Sequence, residues 1–187
     1  ANAWFAGRIT EFDDRGWQIF DFKVGTENLF GYESLRLSLG LHSDSYELNV
    51  EPHRYDAFNG IRGSSRGASG GEVSTKALYA QWGMALGEKW DLSLGLRYED
   101  WESSGGYFGD QSDATDRHIN RDENGASPKL SLAYFLDESI TIRYSAARAI
   151  RFPIIEELYR NESSGVRQFA GNALLEPEDG LPHNLSI

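Results

Sequence analysis

Cysteine is absent from the 187 residues, which excludes a disulfide framework, a thiolate metal site and a cysteine nucleophile. Histidine is scarce: four scattered copies give little material for a histidine metal cluster. Positive charge is in deficit, with 18 Lys and Arg against 29 Asp and Glu, a net −11. Nucleic acid is therefore not an expected partner, because phosphate neutralisation needs a basic face. Long apolar runs are missing as well. None approaches the roughly 18 residues that a membrane helix requires, and mean hydropathy is −0.52. The opening Ala1-Asn2-Ala3-Trp4 carries neither the charged nor the apolar region of a signal peptide.

These absences leave one membrane architecture open. A transmembrane strand needs only about 10 residues of alternating polarity, which average to a hydrophilic score. The composition fits strands and turns: Gly 20, Tyr 9, Phe 10, Trp 5, and a single Met. Alternation is the dominant pattern along the chain. Trp90, Leu92, Leu94, Leu96 and Tyr98 share one face, and Asp91, Ser93, Gly95, Arg97 and Glu99 share the other. Leu78 to Leu86, Leu130 to Leu136 and Ile140 to Ala146 repeat the pattern, as does Leu35 to Leu41. Beyond His42 the apolar parity moves to Tyr46, Leu48 and Val50, which predicts a bulge or a strand end. Two weaker strands are expected at Trp4–Phe12 and Trp17–Val24, joined at Asp13-Asp14-Arg15-Gly16, and a last one at Leu181–Ile187.

The expected fold is all-β, an antiparallel up-and-down meander of about eight strands. Gly87-Glu88-Lys89 and Asp137-Glu138-Ser139 are tight hairpin links. Between the hairpins lie long polar segments near 51–74, 102–126 and 152–180. In an antiparallel meander all the long segments emerge at one end and the tight turns at the other. Soluble sandwiches distribute loop length over both ends, whereas outer-membrane barrels have this one-sided form. The span from Trp90 to Tyr98 covers roughly 26 Å of strand at 3.3 Å per residue. With tilt that becomes about 20 Å of membrane height, slightly under the usual apolar band. Trp82, Trp90, Tyr98, Trp101, Tyr134 and Tyr144 are the expected membrane-girdle aromatics.

Three stretches resemble the barrel of TonB-dependent outer-membrane receptors. Ala77 to Trp82 followed by Trp90 to Glu99 is similar to the family's strand, short turn, and strand ending in Gly-x-Arg-Tyr. Ser127-Pro128-Lys129-Leu130 is similar to its Ser-Pro-Lys/Arg-Leu strand start. The most specific runs from Arg151-Phe152-Pro153 through Glu157-Leu158-Tyr159 to Gly171-Asn172-Ala173-Leu174-Leu175-Glu176-Pro177-Glu178. It is similar to the family's Arg-x-Pro, Glu-Leu-Tyr and Gly-Asn-Pro-x-Leu-x-Pro-Glu, with Ala173 where proline is usual. The resemblance implies a segment of a 22-stranded barrel across residues 1–187, in the outer membrane of a Gram-negative bacterium. It implies outer-membrane lipid, a plug domain and the TonB system as partners. The implied activity is uptake of a scarce nutrient, most commonly a ferric siderophore. No plug or TonB box is recognisable in the 187 residues, and no cofactor is implied. Arg36, Arg97, Lys129 and Arg143, opposite the apolar stripe, would face the lumen.

Three sets of residues carry chemistry that must be weighed. Arg148, Arg151, Arg160 and Arg167, with Tyr107 and Tyr159, lie at or beyond strand ends, where they suit an anionic ligand or internal salt bridges to Glu156 and Glu157. The acidic run from Glu99 to Glu123 includes Asp110, Asp113 and Asp116, at a spacing unlike an EF-hand, and is expected to be a solvated loop. Gly63-Ser64-Ser65-Arg66-Gly67 satisfies G-x-S-x-G but lacks the strand–turn–helix setting of a nucleophile elbow, so no enzyme is expected. Two other readings stay open: a soluble carbohydrate-binding or adhesion module, and a self-contained eight-stranded barrel.

Overall fold

The structure, a computed structural model, describes residues 6–12, 15–29, 34–56, 61–65, 67–109, 117–164 and 167–187. Hydrogen bonding follows the alternation. Strands β1 (Ala6–Glu11), β2 (Gly16–Thr26), β3 (Leu35–Asp56), β4 (Ile61–Ser65), β5 (Ala68–Leu86), β6 (Trp90–Gly109), β7 (Arg121–Phe135) and β8 (Thr141–Ala147) are followed by β9 (Ala149–Arg151) and one helix, α1 (Ile155–Tyr159). Then come β10 (Asn161–Ser164), β11 (Arg167–Ala170), β12 (Glu178–Gly180) and β13 (His183–Ser186). The main sheet runs β1-β3-β5-β6-β7-β8-β13, with β2 and β4 also paired to β3, and every pairing is antiparallel. The sheet does not close on itself among the described residues.

Several of these elements are one stave broken in two. Both β1 and β2 lie antiparallel along β3, at Glu51–Asp56 and at Leu37–Glu47 respectively. The expected pair around Asp13-Asp14 is therefore an end-to-end arrangement and not a hairpin, and Asp13 and Asp14 themselves lie outside the described residues. In the same way β4 continues β5, and β12 with β13 continues along β9 and β8.

The polar segments differ from simple loops. β3 runs through Asp56 and β5 begins at Ala68, so most of 51–74 is strand. β6 extends to Gly109 and β7 starts at Arg121. The tight turns stay short. Gly87 adopts φ +65°, which only glycine reaches without strain. At the next turn the Asp137 carboxylate accepts hydrogen bonds from Ser139 Oγ (2.7 Å), Ser139 N (2.8 Å) and Ile140 N (3.0 Å). Those donors, the serine hydroxyl foremost, hold its pKa below the usual aspartate value.

Register then sorts the side chains. Leu41, Leu78, Tyr98 and Ala126 form one cross-strand row, and Leu39, Ala80, Leu96 and Pro128 the next. Above them Ser43, Lys76, Asp100 and Asn124 end the apolar band together. This apolar face is not covered by protein: Leu96 is 52% exposed, and Phe22, Leu78 and Tyr98 are similarly open. A band of this size has no place in water.

The opposite face is polar and is carpeted by long side chains lying across glycines. Arg36 crosses Gly83 to pair with Asp91, and Lys129 lies over Gly95, where a Cβ would come within 2.5 Å of its chain. Tyr79 covers Gly40 in the same manner. Each glycine supplies the clearance its neighbour needs.

Candidate functional site

The core of the molecule sits on this polar face, at the end away from the tight turns. α1 lies there, packing Ile155, Leu158 and Tyr159 against Leu48, Val50, Val73 and Trp101, with Phe152 and Leu175 alongside. Burying each of these side chains contributes roughly 1.5–3 kcal/mol. This explains the shift of apolar parity beyond His42. The β3–β5 register is continuous from Leu35 to Val50, so the expected bulge or strand end is not there. Leu48 and Val50 stay on the polar face and are apolar because α1 covers them.

Tyr159 is the deepest part of this arrangement, at 1% exposure. Its ring lies on Gly71 and Gly106, where a Cβ would approach it to 2.7 and 2.3 Å. Gly105 next door adopts φ +61° and takes the extra residue where the β5–β6 register shifts. The expected ligand role of Tyr159 is thus corrected: the ring is packed in the core. Trp101 is corrected too. It falls on the face of Arg97 and Glu99, opposite to Trp90 and Tyr98. There it is 2% exposed, stacks on Phe152 at 5.9 Å, and lies under the Arg121 guanidinium at 5.8 Å. It belongs to the core rather than to an upper girdle.

The family-like motif residues form a clasp that holds this lid. Arg151 donates Nε and Nη2 to Glu178 at 2.9 and 2.8 Å, and Nη1 to both oxygens of Glu157 at 3.0–3.1 Å. Glu157 also accepts the Ile154 N–H at 3.1 Å, which satisfies a donor at the start of α1. The neighbouring guanidinium of Arg151 holds both carboxyls, Glu157 and Glu178, below their usual pKa. Arg148 makes a second bidentate pair, with Asp179 at 2.7–3.1 Å. Gly171 lies so close to α1 that a Cβ would stand 2.5 Å from the Leu158 carbonyl oxygen, and its N–H bonds Arg160 O at 2.8 Å. Arg121 Nη1 bonds the Ala173 and Leu175 carbonyls at 2.9 and 3.0 Å. Arg148 and Arg151 are therefore occupied by carboxylates of their own chain. Of the two internal partners expected, Glu157 is used; Glu178 and Asp179, from the far end of the motif, are the ones sequence reasoning missed.

The remaining candidates separate. Tyr107 donates its hydroxyl to Asn49 Oδ1 at 2.8 Å, on the face opposite α1. Arg160 follows α1, and Arg167 begins β11 in the small β10–β11 hairpin. Arg36, Arg97, Lys129 and Arg143 all share the polar face. Arg97 Nε pairs with Glu99 at 2.9 Å, and Arg143 reaches Ser131 Oγ at 3.4 Å. A cavity of about 600 Å³ opens there beside Tyr79, Arg97, Lys129 and Arg148. On the apolar face Trp90 and Tyr134 touch at 4.5 Å in the row nearest the tight turns, Tyr98 closes the band, and Trp82 and Tyr144 fall between. Asp110, Asp113 and Asp116 lie outside the described residues. Ser65 ends β4 with no helix after it, unlike a nucleophile elbow.

A sheet with an open apolar face, a charged opposite face and a lid folded over the latter defines a wall segment of a transmembrane β-barrel. The family model described as TonB dependent receptor-like, beta-barrel matches residues 2–186, and the chain belongs to that family. No curated protein and no solved structure matches the chain. The family consists of outer-membrane receptors and transporters of Gram-negative bacteria and is not enzymatic.

Proposed function

We propose that this chain forms wall of a receptor that takes up a ferric siderophore across the outer membrane with energy delivered through TonB. The observation that carries the reading is the register-locked separation of one apolar and one charged face over the same strands. In this reading Trp90, Tyr98, Tyr134 and Tyr144 contact lipid, with Trp82 deeper in the band. Arg36, Arg97, Lys129 and Arg143 line the lumen against the plug domain. Arg160, just after α1, and Arg167, in the small hairpin, carry contacts to an anionic chelate, whereas Arg148 and Arg151 are engaged in the clasp. A soluble carbohydrate-binding or adhesion module does not suit an apolar face this open.

The test is growth of a strain deleted for the intact receptor, in iron-limited medium with single ferric siderophores as the iron source. One siderophore should fail to support growth, and the same one should fail in a strain lacking TonB. Unchanged growth on every ferric siderophore would overturn the iron reading while leaving a different nutrient open to the same assay.

A further inference from the structure

The polar face carries one apolar island that its ion pairs do not explain. A cavity of about 350 Å³ lies between the start of the lid and β3, β5 and β6. Its floor is Val73 and Trp101, its walls are Tyr46, Phe152 and Pro153, and Glu156 and Asp44 stand at its edge. Across the β2–β3 register, Trp17 pairs with Tyr46 and Ile19 with Asp44, so both extend the island on the same face. Trp17 is 70% exposed. Lipid does not account for these residues, because they point away from the apolar band. The core does not account for them either, because Trp17, Ile19 and Tyr46 are left open.

Two carboxylates, Asp44 and Glu156, stand at this edge. Of the nearby arginines, Arg121 lies over the Trp101 ring at 5.8 Å with Nη1 on main-chain carbonyls, and Arg151 pairs with Glu157 and Glu178. Asp44 is held by His42 Nε2 at 2.7 Å, and the same imidazole faces Asp21 at 2.7 Å through Nδ1. Glu156 has no cationic partner among the described residues. An aromatic wall beside an unanswered carboxylate is the arrangement that attracts an organic cation, by ring quadrupole and by charge. The volume suits a single substituted ring, at the small end of ligand pockets.

We propose that the cavity bounded by Tyr46, Phe152, Trp101 and Glu156 is a subsite for an aromatic group bearing a positive charge, in the peripheral, non-chelating part of the transported ligand. The inference rests on the receptor reading above. It adds to that reading the chemistry of a part of the ligand that iron does not touch.

The experiment uses the intact receptor, purified in detergent, titrated with benzyltrimethylammonium, benzyl alcohol and benzoate and followed by calorimetry. The expected order of affinity is cation, then neutral ring, then benzoate. Glu156→Gln should weaken the cation roughly two- to fivefold and leave benzyl alcohol unchanged, as expected for a single half-buried carboxylate at the cavity edge. Tyr46→Ala should weaken the cation roughly three- to thirtyfold, and Tyr46→Phe should restore it. Glu156→Gln alone decides the matter if Tyr46→Ala does not fold. No saturable binding of the cation, benzoate binding as tightly, or a cation affinity unchanged by Glu156→Gln would each overturn the subsite. Growth on ferric siderophores is read separately, so failure of the subsite and failure of the receptor reading are distinguishable.

Discussion

Removing the Tyr159 ring should release the lid. The ring is 1% exposed, lies on Gly71 and Gly106, and stacks at 6.1 Å on His118. The glycines beneath it lack side chains that could fill the space, so Tyr159→Ala leaves a cavity that collapses poorly. Truncating a buried aromatic of this kind costs about 3–5 kcal/mol. α1 is five residues long, too short to stand without its packing. The loss should therefore appear as local opening of residues 152–180 and not as unfolding of the whole sheet. When opening is fast relative to cleavage, the rate follows the open population, which should rise roughly a hundred- to several-thousandfold. Limited proteolysis of the intact receptor in detergent, with cleavage sites mapped by mass spectrometry, measures that rate. Tyr159→Phe should stay near wild type in both cleavage and uptake. If Tyr159→Ala left cleavage within about twofold of wild type while uptake was lost, the buried-anchor reasoning would be refuted and the ring would be a ligand contact.

Further outcomes follow from the same geometry. Gly106→Ala attacks the contact from below: its Cβ would meet Tyr159 Cε1 at 2.3 Å, and overpacking should cost about 1–3 kcal/mol, read in the same cleavage assay. Leu94→Arg places a charge on the apolar face and should cost roughly 2–4 kcal/mol in reversible folding into lipid vesicles, whereas Ser93→Arg, on the charged face, should be nearly neutral. The clasp should also depend on pH. Glu157 and Glu178 have folded-state pKa values below their unfolded ones, so their stabilisation is present above the unfolded value and lost as pH falls through the folded value. Cleavage within 152–180 should stay flat from about pH 8 to pH 5 and rise below about pH 4. Arg151→Gln should remove that rise; an unchanged profile in Arg151→Gln would show that the clasp does not hold the lid.

Much of the wall is legible residue by residue. The alternation from Trp90 to Tyr98 states which side chains share a face, and Gly87 and Asp137 state where the chain reverses. The site is less legible. Arg151 reads equally well as an anion ligand and as an internal ion pair. Only the return of the chain at Glu178, 27 residues on, supplies the partner that chooses between them. Trp101 continues the aromatic series after Tyr98 by eye, but three residues is an odd step, and an odd step on a strand turns a side chain to the other face. Tyr46, Leu48 and Val50 look like a broken register because a period-two pattern records that a face is apolar and not what covers it.

The sequence by itself determined the class of element, the two faces and the tight turns at Gly87 and Asp137, because period-two polarity and turn chemistry act over a few residues. It also carried the family motif. Only the tertiary structure decided what the motif does: α1 packs over a face that is elsewhere charged, and Arg151, Glu157 and Glu178 tie it down. That outcome depends on which distant segments meet. Burial and ion pairing are properties of the meeting and not of either segment alone.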